Sequence, residues 1–286
     1  MIAAKDVKNK IHTVGNIEQI CRAMKTVASI RLRRAEQRLA TVRRYQRGLA
    51  ELVQRLASMP GPWPGRQAAS QAHPFLQPRE VNRVGLVLVT SDRGLCGGYN
   101  ANAVRHALQV GGPERIAVIA VGRRGQQQMA RRGYQIVDRL APLGGDPDPY
   151  ALARLADRIG GLYLRGQVDQ VAVVYSGFLG GARSETKAEI ILPVTVGEAP
   201  PLDIICEPPA PQLLQGVMPR YLRSQLMGIV QEASASEHAA RVAAMTAATD
   251  NAEEMIRTLT LDYNKARQAG ITKELTEIVG ASEAAA

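Results

Sequence analysis

The stretch TSDRGLCGGYN, from Thr90 to Asn100, has the composition of a ligand site. It lies between a predicted strand and a predicted helix, where α/β proteins bind ligands, and its three glycines could bring backbone N–H groups close to a phosphate. It matches neither GxGxxG nor GxxxxGK, because no Lys follows the glycines. Cys96 could be a nucleophile, but His106 would face elsewhere on the following helix. A structural turn is therefore favoured, and a phosphate or thiol site stays open as the alternative.

Two other charged segments could hold an anion or a metal ion. GRRGQQQMARRGY, residues 122–134, has the positive charge of a phosphate loop without its motif, so a solvated helix face is favoured. Asp250, Glu253 and Glu254 share helical spacing, but a metal site there would need ligands from another helix. The four histidines are scattered along the chain without the spacing of a metal site. We therefore expect no metal and no cofactor.

The positive charge of the chain, +10 overall, is concentrated near its N-terminus. Residues 1–56 hold thirteen Lys or Arg against four acids, a net charge of +9. Long basic side chains can simply cover apolar surface, but such a run also suits docking to an acidic protein or to nucleic acid phosphates. Nucleic acid binding usually adds stacking aromatics, and only Tyr45 lies in the run. An acidic protein partner is therefore favoured.

These basic residues are carried by a predicted helix with an apolar seam. Apolar residues recur at alternating steps of four and three, which is typical of a helix that wraps a partner helix. Fifty helical residues would span about 75 Å. Glu18, Lys25 and Gln46 interrupt the seam. Its other members are Val7, Ile11, Val14, Cys21, Ala28, Leu32, Ala35, Leu39, Val42, Leu49, Val53 and Leu56.

The middle of the chain, residues 83–197, predicts an α/β domain with a mostly parallel sheet. Short apolar runs alternate with amphipathic segments of about ten to fifteen residues, as in strands joined by helices. The predicted strands are NRVGLVLVTSD, RIAVIAVG, YQIVDRL, QVAVVYSGF and AEIILPVTV. The predicted helices are GGYNANAVRHALQV, RRGQQQMARRG and PDPYALARLADRIGGLYLRG.

Two Pro-rich linkers, residues 59–82 and 198–218, separate this domain from helices predicted over 1–58 and 219–286. Small residues dominate the centre of the second helix, so its backbone can approach a partner closely. A compact domain tends to return its ends near each other, so we expect the two helices to pair antiparallel. The predicted fold class is α/β plus a long antiparallel coiled coil of the N- and C-terminal helices.

Composition excludes several protein classes. The longest apolar runs are far below the ~20 residues that cross a bilayer, so we expect a soluble chain. The N-terminus lacks the features of a secretory or organellar leader, and no cleavage is expected. Cys21, Cys96 and Cys206 are isolated, which favours a reducing compartment over a disulfide framework or a zinc site.

Four segments of the chain resemble the gamma subunit of the F-type ATP synthase. They are KDVKNKI with NIEQICRAMKTVASIRLRRAEQR, VTSDRGLCGGYNANAVR, VGRRGQQQMARRGY, and ASEHAARVAAMTAATDNAEEMIRTLTLDYNKARQAGITKELTEIVG. The resemblance covers essentially the whole length in the same order. It implies a non-catalytic rotor shaft, one copy per complex, whose paired terminal helices penetrate an alpha3beta3 hexamer. Turning the asymmetric shaft would shift the conformations of the catalytic beta subunits in sequence.

The resemblance also implies contact residues. Those for the alpha3beta3 hexamer, including the acidic lever loop of beta, are Arg22, Met24, Lys25, Arg241, Gln268, Thr272 and Glu274. Those for the epsilon subunit and the membrane c-ring are Ile204, Ile205 and Glu207. Membrane association would come only through the complex, at the cytoplasmic face of the bacterial plasma membrane. No nucleic acid partner is implied, and the paired-cysteine insertion of the chloroplast type is missing, so thiol regulation of that kind is not expected.

The residues alone leave two other classes open. A phosphate-binding α/β enzyme with helical extensions would bind ATP saturably at residues 90–100. A basic coiled-coil protein that binds nucleic acid would show a steep salt dependence of binding.

Overall fold

The computed structural model describes residues 4–59, 73–140, 147–181, 183–197 and 206–284, without the side chains at 4, 273, 274, 277 and 280–284. A long helix stands at each end of the order of elements, and five strands lie between them. The elements are α1 (Ala4–Ser58), a 3-10 turn (Pro74–Leu76), β1 (Val84–Val89), α2 (Tyr99–Val110), β2 (Ile116–Val121), α3 (Arg123–Ala130), β3 (Gln135–Leu140), α4 (Pro149–Leu164), β4 (Gln170–Gly180), β5 (Arg183–Leu192) and α5 (Ala210–Ala284).

The chain divides into two compact units, and each contains part of both long helices. The helical unit consists of Met1–Ala28 and Val242–Ala286. The sheet unit, Ser29–Arg241, holds all five strands with the remaining parts of α1 and α5. The predicted division into five segments stays a prediction, apart from the start of the last helix, which lies at Ala210.

A five-stranded sheet with the order β3-β2-β1-β4-β5 forms the centre of the sheet unit. β1 pairs in parallel with both β2 and β4, so that Val84 lies opposite Ile116 on one side and Gln170 on the other. β3 pairs in parallel with β2, and β5 pairs antiparallel with β4 at the opposite edge. The predicted α/β fold with a mostly parallel sheet is therefore confirmed.

The last strand differs from its prediction at both ends. β5 begins at Arg183, five residues before the predicted start, and ends at Leu192 rather than continuing past Pro193. Proline has no N–H to give to the ladder, so the strand stops before it. Residues 183–187 are exposed or half-buried and show no apolar alternation, and only their pairing with β4 makes them a strand.

The central strands β1, β2 and β4 are buried on both faces, as parallel strands covered by helices are. In β1, Val87 and Val89 belong to one apolar cluster and Leu86 and Leu88 to the other, because successive side chains of a strand point to opposite faces. Helices α2 and α3 complete the second cluster. Helix α4 completes the first, together with apolar side chains from the end of α1 and the beginning of α5. This first cluster anchors both long helices to the sheet.

Inside the sheet unit, α1 and α5 lie side by side in opposite directions. Arg43 of α1 contacts Glu232 of α5, whereas Gln46, further along α1, contacts Ser224, which is earlier in α5. The predicted antiparallel coiled coil is therefore confirmed. A small apolar cluster joins the two helices to the end of β4, and its buried members are Ala35, Leu39, Phe178, Ala235 and Ala239.

Burial also confirms the seam predicted along α1. All fifteen predicted positions, including the polar Glu18, Lys25 and Gln46, are buried or half-buried. In the helical unit the buried members are Val7, Cys21 and Ala28.

Helix α5 begins at Ala210, nine residues before Pro219, so the start predicted at Pro219 is wrong. A proline inside a helix costs about 3 kcal/mol, because it removes an N–H and crowds the preceding turn. Burial of apolar side chains offsets this cost, at about 1.5–3 kcal/mol for each large side chain. Those on the buried face are Leu214, Met218, Leu222 and Leu226. Their spacing of four continues across Pro219, and this periodicity is the signal for the longer helix.

Candidate partner-contact surfaces

Polar groups of the turn at Thr90–Asn100 form hydrogen bonds with one another. Asn100 accepts a hydrogen bond from the backbone N–H of Ser91 at 2.9 Å, and its amide donates to the Ser91 hydroxyl at 2.8 Å and to the Cys96 sulfur at 3.2 Å. Cys96 is buried, and burial raises the pKa of its thiol, which disfavours the reactive thiolate. These contacts favour the structural turn over a phosphate or thiol site.

Helix α5 packs on this turn through two polar contacts. The Tyr99 hydroxyl donates to the backbone carbonyl of Ala233 at 3.1 Å. Arg241 forms an ion pair with Glu237 at 2.7 Å and donates to the carbonyl of Gly94 at 3.4 Å. Burial raises the pKa of Glu237 above its usual value, and the charge of Arg241 opposes that rise. The turn is therefore a docking point for α5.

Arg241 was assigned by the resemblance to the alpha3beta3 hexamer, and the structure places its side chain inside the sheet unit. Its side chain is 11% exposed, which leaves little surface for another protein. We therefore treat Arg241 as a residue that holds α5 against the turn. The sequence gives no signal for the internal contact, because Arg22 likewise has an acid four residues earlier, Glu18, and is exposed.

This placement predicts that Arg241→Ala lowers the free energy of unfolding by about 1–2 kcal/mol, since it leaves the mostly buried Glu237 carboxyl without its partner. A matched control is Arg223→Ala, which breaks an ion pair with Asp157 whose side chains are both 44% exposed. We expect that control to change stability by less than about 0.5 kcal/mol. Urea unfolding of the purified chain measures both, and equal losses would contradict the assignment.

The predicted beta contacts Arg22, Met24 and Lys25 lie on α1 in the helical unit. Arg22 is exposed and donates to Glu18 at 2.6 Å and to Glu253 of α5 at 3.0 Å. Met24 and Lys25 are half-buried. Arg22 and Met24 lie beside the seam and Lys25 lies within it, and each keeps exposed surface that a partner protein could reach.

The other predicted contacts are only partly within the described residues. Gln268 and Thr272 are exposed on α5, and the Thr272 hydroxyl donates to the backbone carbonyl of Gln268 at 3.0 Å. The side chain of Glu274 lies outside the described part. Of the residues predicted to face epsilon and the c-ring, Glu207 is exposed just before α5, whereas Ile204 and Ile205 lie outside the described residues.

A second apolar row on α1, beside the seam, is not among the residues predicted from the sequence. Ile17, Ile20 and Val27 are 49–59% exposed, and with Met24 between them they repeat at steps of three, four and three. Their spacing is visible in the sequence, but a row beside the seam can be told from the seam only once burial is known. Exposed apolar residues on α5 in the same unit are Met255, Leu261, Ile271, Leu275, Ile278 and Val279.

The described residues contain neither a metal-binding cluster nor a membrane-spanning helix. Among those residues, no group of three or more His, Cys, Asp or Glu could hold a metal ion. No described helix is both long and apolar enough to span a bilayer.

Comparisons with known proteins agree over nearly the whole chain. The family model described as ATP synthase matches residues 3–285. The ATP synthase gamma chain of Desulfitobacterium hafniense is 37% identical over 287 residues, covering 99% of both chains. That of Moorella thermoacetica is also 37% identical, over 290 residues and 99% of both chains.

Solved structures show the same fold. A chain of the Euglena gracilis mitochondrial ATP synthase, in a structure of its OSCP, F1 and c-ring parts, matches with a TM-score of 0.73 at 20% identity. The match covers 98% of this chain and 94% of that one. A chain of the rotor from the same organism matches with a TM-score of 0.66 at 19% identity, over 94% and 98% of the two chains. Together with the relatives above, these matches place the chain in the ATP synthase gamma chain family.

Proposed function

We propose that this chain is the central rotor shaft of an ATP synthase, which couples ion-driven rotation of a membrane ring to ATP synthesis or hydrolysis. The proposal is supported by the family membership and by one observation on the helical unit. The helix pair of the helical unit has a buried seam and, in addition, exposed apolar side chains on both helices. A protein that acts alone rarely leaves such surface in water, whereas a shaft inside a sleeve of other subunits covers it.

The mechanism follows from the asymmetry of two unlike helices. α1 carries a dense run of Arg and Lys, whereas the centre of α5 is rich in Ala. Subunits placed around such a pair meet different faces, so each is stabilised in a different conformation. Rotation exchanges those faces among the subunits and shifts their conformations in turn. Catalysis belongs to the beta subunits, and this chain contributes no catalytic residue.

The contact residues assigned by the resemblance fit this role. We propose that Arg22, Met24 and Lys25 meet the acidic lever loop of beta, with Gln268, Thr272 and Glu274 also facing the alpha3beta3 hexamer. We further propose that Ile204, Ile205 and Glu207 face epsilon and the c-ring, at the cytoplasmic face of a bacterial plasma membrane. The positive charge of α1 supports an acidic partner, because opposite charges attract across a water-excluding interface.

Copurification tests the proposal directly. A tagged chain expressed with the other subunits of its complex should be recovered as one copy for every three pairs of alpha and beta subunits. Native mass spectrometry of the recovered complex gives this ratio. A stable homodimer that ignores alpha and beta would contradict the proposed function.

The beta contact predicts a separation between coupling and stability. Arg22→Ala and Lys25→Ala should each change the free energy of unfolding by less than about 1 kcal/mol, because both side chains reach the surface. The ratio of proton pumping to ATP hydrolysis in membrane vesicles should nevertheless fall below that of the unchanged complex.

The control for this pair is Arg154→Ala, which removes the same charge from an exposed position on α4. It should leave the pumping ratio unchanged. A loss of thermal stability in the Arg22 and Lys25 variants with an unchanged ratio would show that these residues serve the fold and not the contact.

A further inference from the structure

The carboxylate of Glu232 joins three elements of the sheet unit. Its Oε1 accepts a hydrogen bond from Arg43 of α1 at 3.1 Å and another from the backbone N–H of Phe178 in β4 at 3.1 Å. Glu232 itself belongs to α5, so one oxygen atom connects both long helices and the sheet. The side chain is 18% exposed, and charge-assisted hydrogen bonds are stronger where water is largely excluded.

The Glu232 carboxylate binds the sheet at an irregular place in the pairing of β4 with β5. The pairing of β4 with β5 shifts between Phe178 and Gly180, and the N–H of Phe178 binds Glu232 at this irregular place. At Gly177 an added Cβ would lie 3.3 Å from Glu232 Oε1, so a larger residue would crowd the carboxylate. The side chain of Phe178 belongs to the apolar cluster that also holds Ala35 and Leu39 of α1 and two Ala residues of α5. The end of β4 is therefore tied to the helix pair by both a polar and an apolar contact.

A second polar contact lies one turn further along α1. Gln46 interrupts the apolar seam, and its amide donates to the backbone carbonyl of Ser224 at 3.1 Å. The amide fills a notch at Gly228, where an added Cβ would lie only 2.0 Å from its nitrogen. Glycine inside a helix lowers helix stability by about 1 kcal/mol relative to Ala. Here the missing side chain leaves the space that the Gln46 amide occupies. A buried polar side chain in a seam fixes the register of two helices at some cost in stability.

The first apolar cluster anchors both helices to the sheet through Val53 and Leu56 of α1, but around residues 35–39 of α1 the apolar side chains are smaller and fix the register less well. The buried members of the small cluster that joins the helices to the end of β4 are mostly Ala, with Leu39 and Phe178 as the large ones, and Leu32 packs against them partly buried. Small side chains allow a close approach but form shallow knobs, so they oppose sliding and twisting less than large interlocking ones do.

We propose that Glu232, Arg43 and Gln46, with the notch at Gly228, form a torsional joint that makes α1, α5 and the sheet of this unit turn together. They are positioning residues for the coupling between rotation and catalysis, and this inference rests on the proposed function. Without the joint, part of a rotation applied to the sheet would be lost as twist between the helices and the sheet.

The test uses the assembled ATP synthase in membrane vesicles with the variants Gln46→Leu and Glu232→Leu. Gln46→Leu makes the seam continuous, so thermal stability should be retained or raised. The ratio of proton pumping to ATP hydrolysis should still fall, by about twofold or more in the double variant. If Gln46 had only a structural role, the pumping ratio would fall only in variants that also lose thermal stability.

Two further variants complete the test. Glu232→Gln keeps an oxygen that can accept from Phe178, so it should retain more coupling than Glu232→Leu. The control Glu51→Gln breaks the ion pair between Arg55 and Glu51, which lies within α1 and joins no other element. It should leave the pumping ratio unchanged.

A single-molecule measurement of angular fluctuations tests the stiffness of the joint directly. A bead attached to the sheet unit of a stalled complex should show a wider angular distribution in the double variant than in the unchanged protein. Equal angular widths and equal pumping ratios would overturn the joint while leaving the rotor function intact. Failure of the unchanged chain to assemble with alpha and beta subunits would instead overturn the proposed function itself.

Discussion

Gly122→Ala is expected to lower the free energy of unfolding by about 2–4 kcal/mol, through backbone strain and steric overlap together. Gly122 has a φ of +93°, a region that residues with a Cβ rarely adopt. A Cβ added there would lie 2.1 Å from the carbonyl oxygen of Thr90. That oxygen belongs to the backbone and cannot rotate away, so the end of β1 and the start of α3 would have to separate. Urea unfolding of the purified chain measures the loss.

Gly133→Ala is the matched control for this substitution. Gly133 also has a positive φ, +82°, but an added Cβ would meet nothing within 4 Å. Its cost should therefore be the backbone strain alone, about 1–2 kcal/mol. If the two variants lost the same stability, the contact between Gly122 and Thr90 would not be the reason for the glycine.

The elements with a strong apolar period were predictable from the sequence. In α1 the heptad spacing identified every buried position except Ala57, because a helix that packs along its length must repeat its apolar face. The central strands were equally clear, since β1 and β2 are uninterrupted apolar runs buried on both faces. Where tertiary contacts outweigh local preference, prediction failed. Pro219 lies inside α5, and residues 183–187 form a strand only through their partner β4.

The candidate contact surface was less predictable than the fold. Arg241 and Arg22 are both Arg residues on long helices, yet the first is bound inside the sheet unit and the second is exposed. Nothing in local sequence separates them, because the difference depends on whether another element covers the helix at that point. Ile17 and Ile20 were likewise visible as apolar residues, but their exposure depends on which face of α1 meets α5. The fold determines these differences, and periodicity alone does not.

Ile17→Asp combined with Ile20→Asp should weaken assembly with alpha and beta subunits by about 10- to 150-fold. Burying an Ile side chain is worth about 1.5–3 kcal/mol, and roughly half of each side chain remains to be covered by a partner. Losing both contributions costs about 1.5–3 kcal/mol of association free energy. The free energy of unfolding should change little, because neither residue lies in the seam. Competition with the unchanged chain during copurification measures the ratio of incorporation.

The charge that this double variant adds must be separated from the apolar surface that it removes, because an acidic partner would also repel two new carboxylates. Asn16→Asp combined with Gln19→Asp adds the same charge at exposed neighbouring positions and leaves both Ile side chains in place. If the apolar row is the contact, this control should compete much better than the Ile variant, and its remaining defect should shrink as salt screens the repulsion. Equal defects in the two double variants would mean that charge alone governs this surface and that the exposed apolar row is not covered by the surrounding subunits.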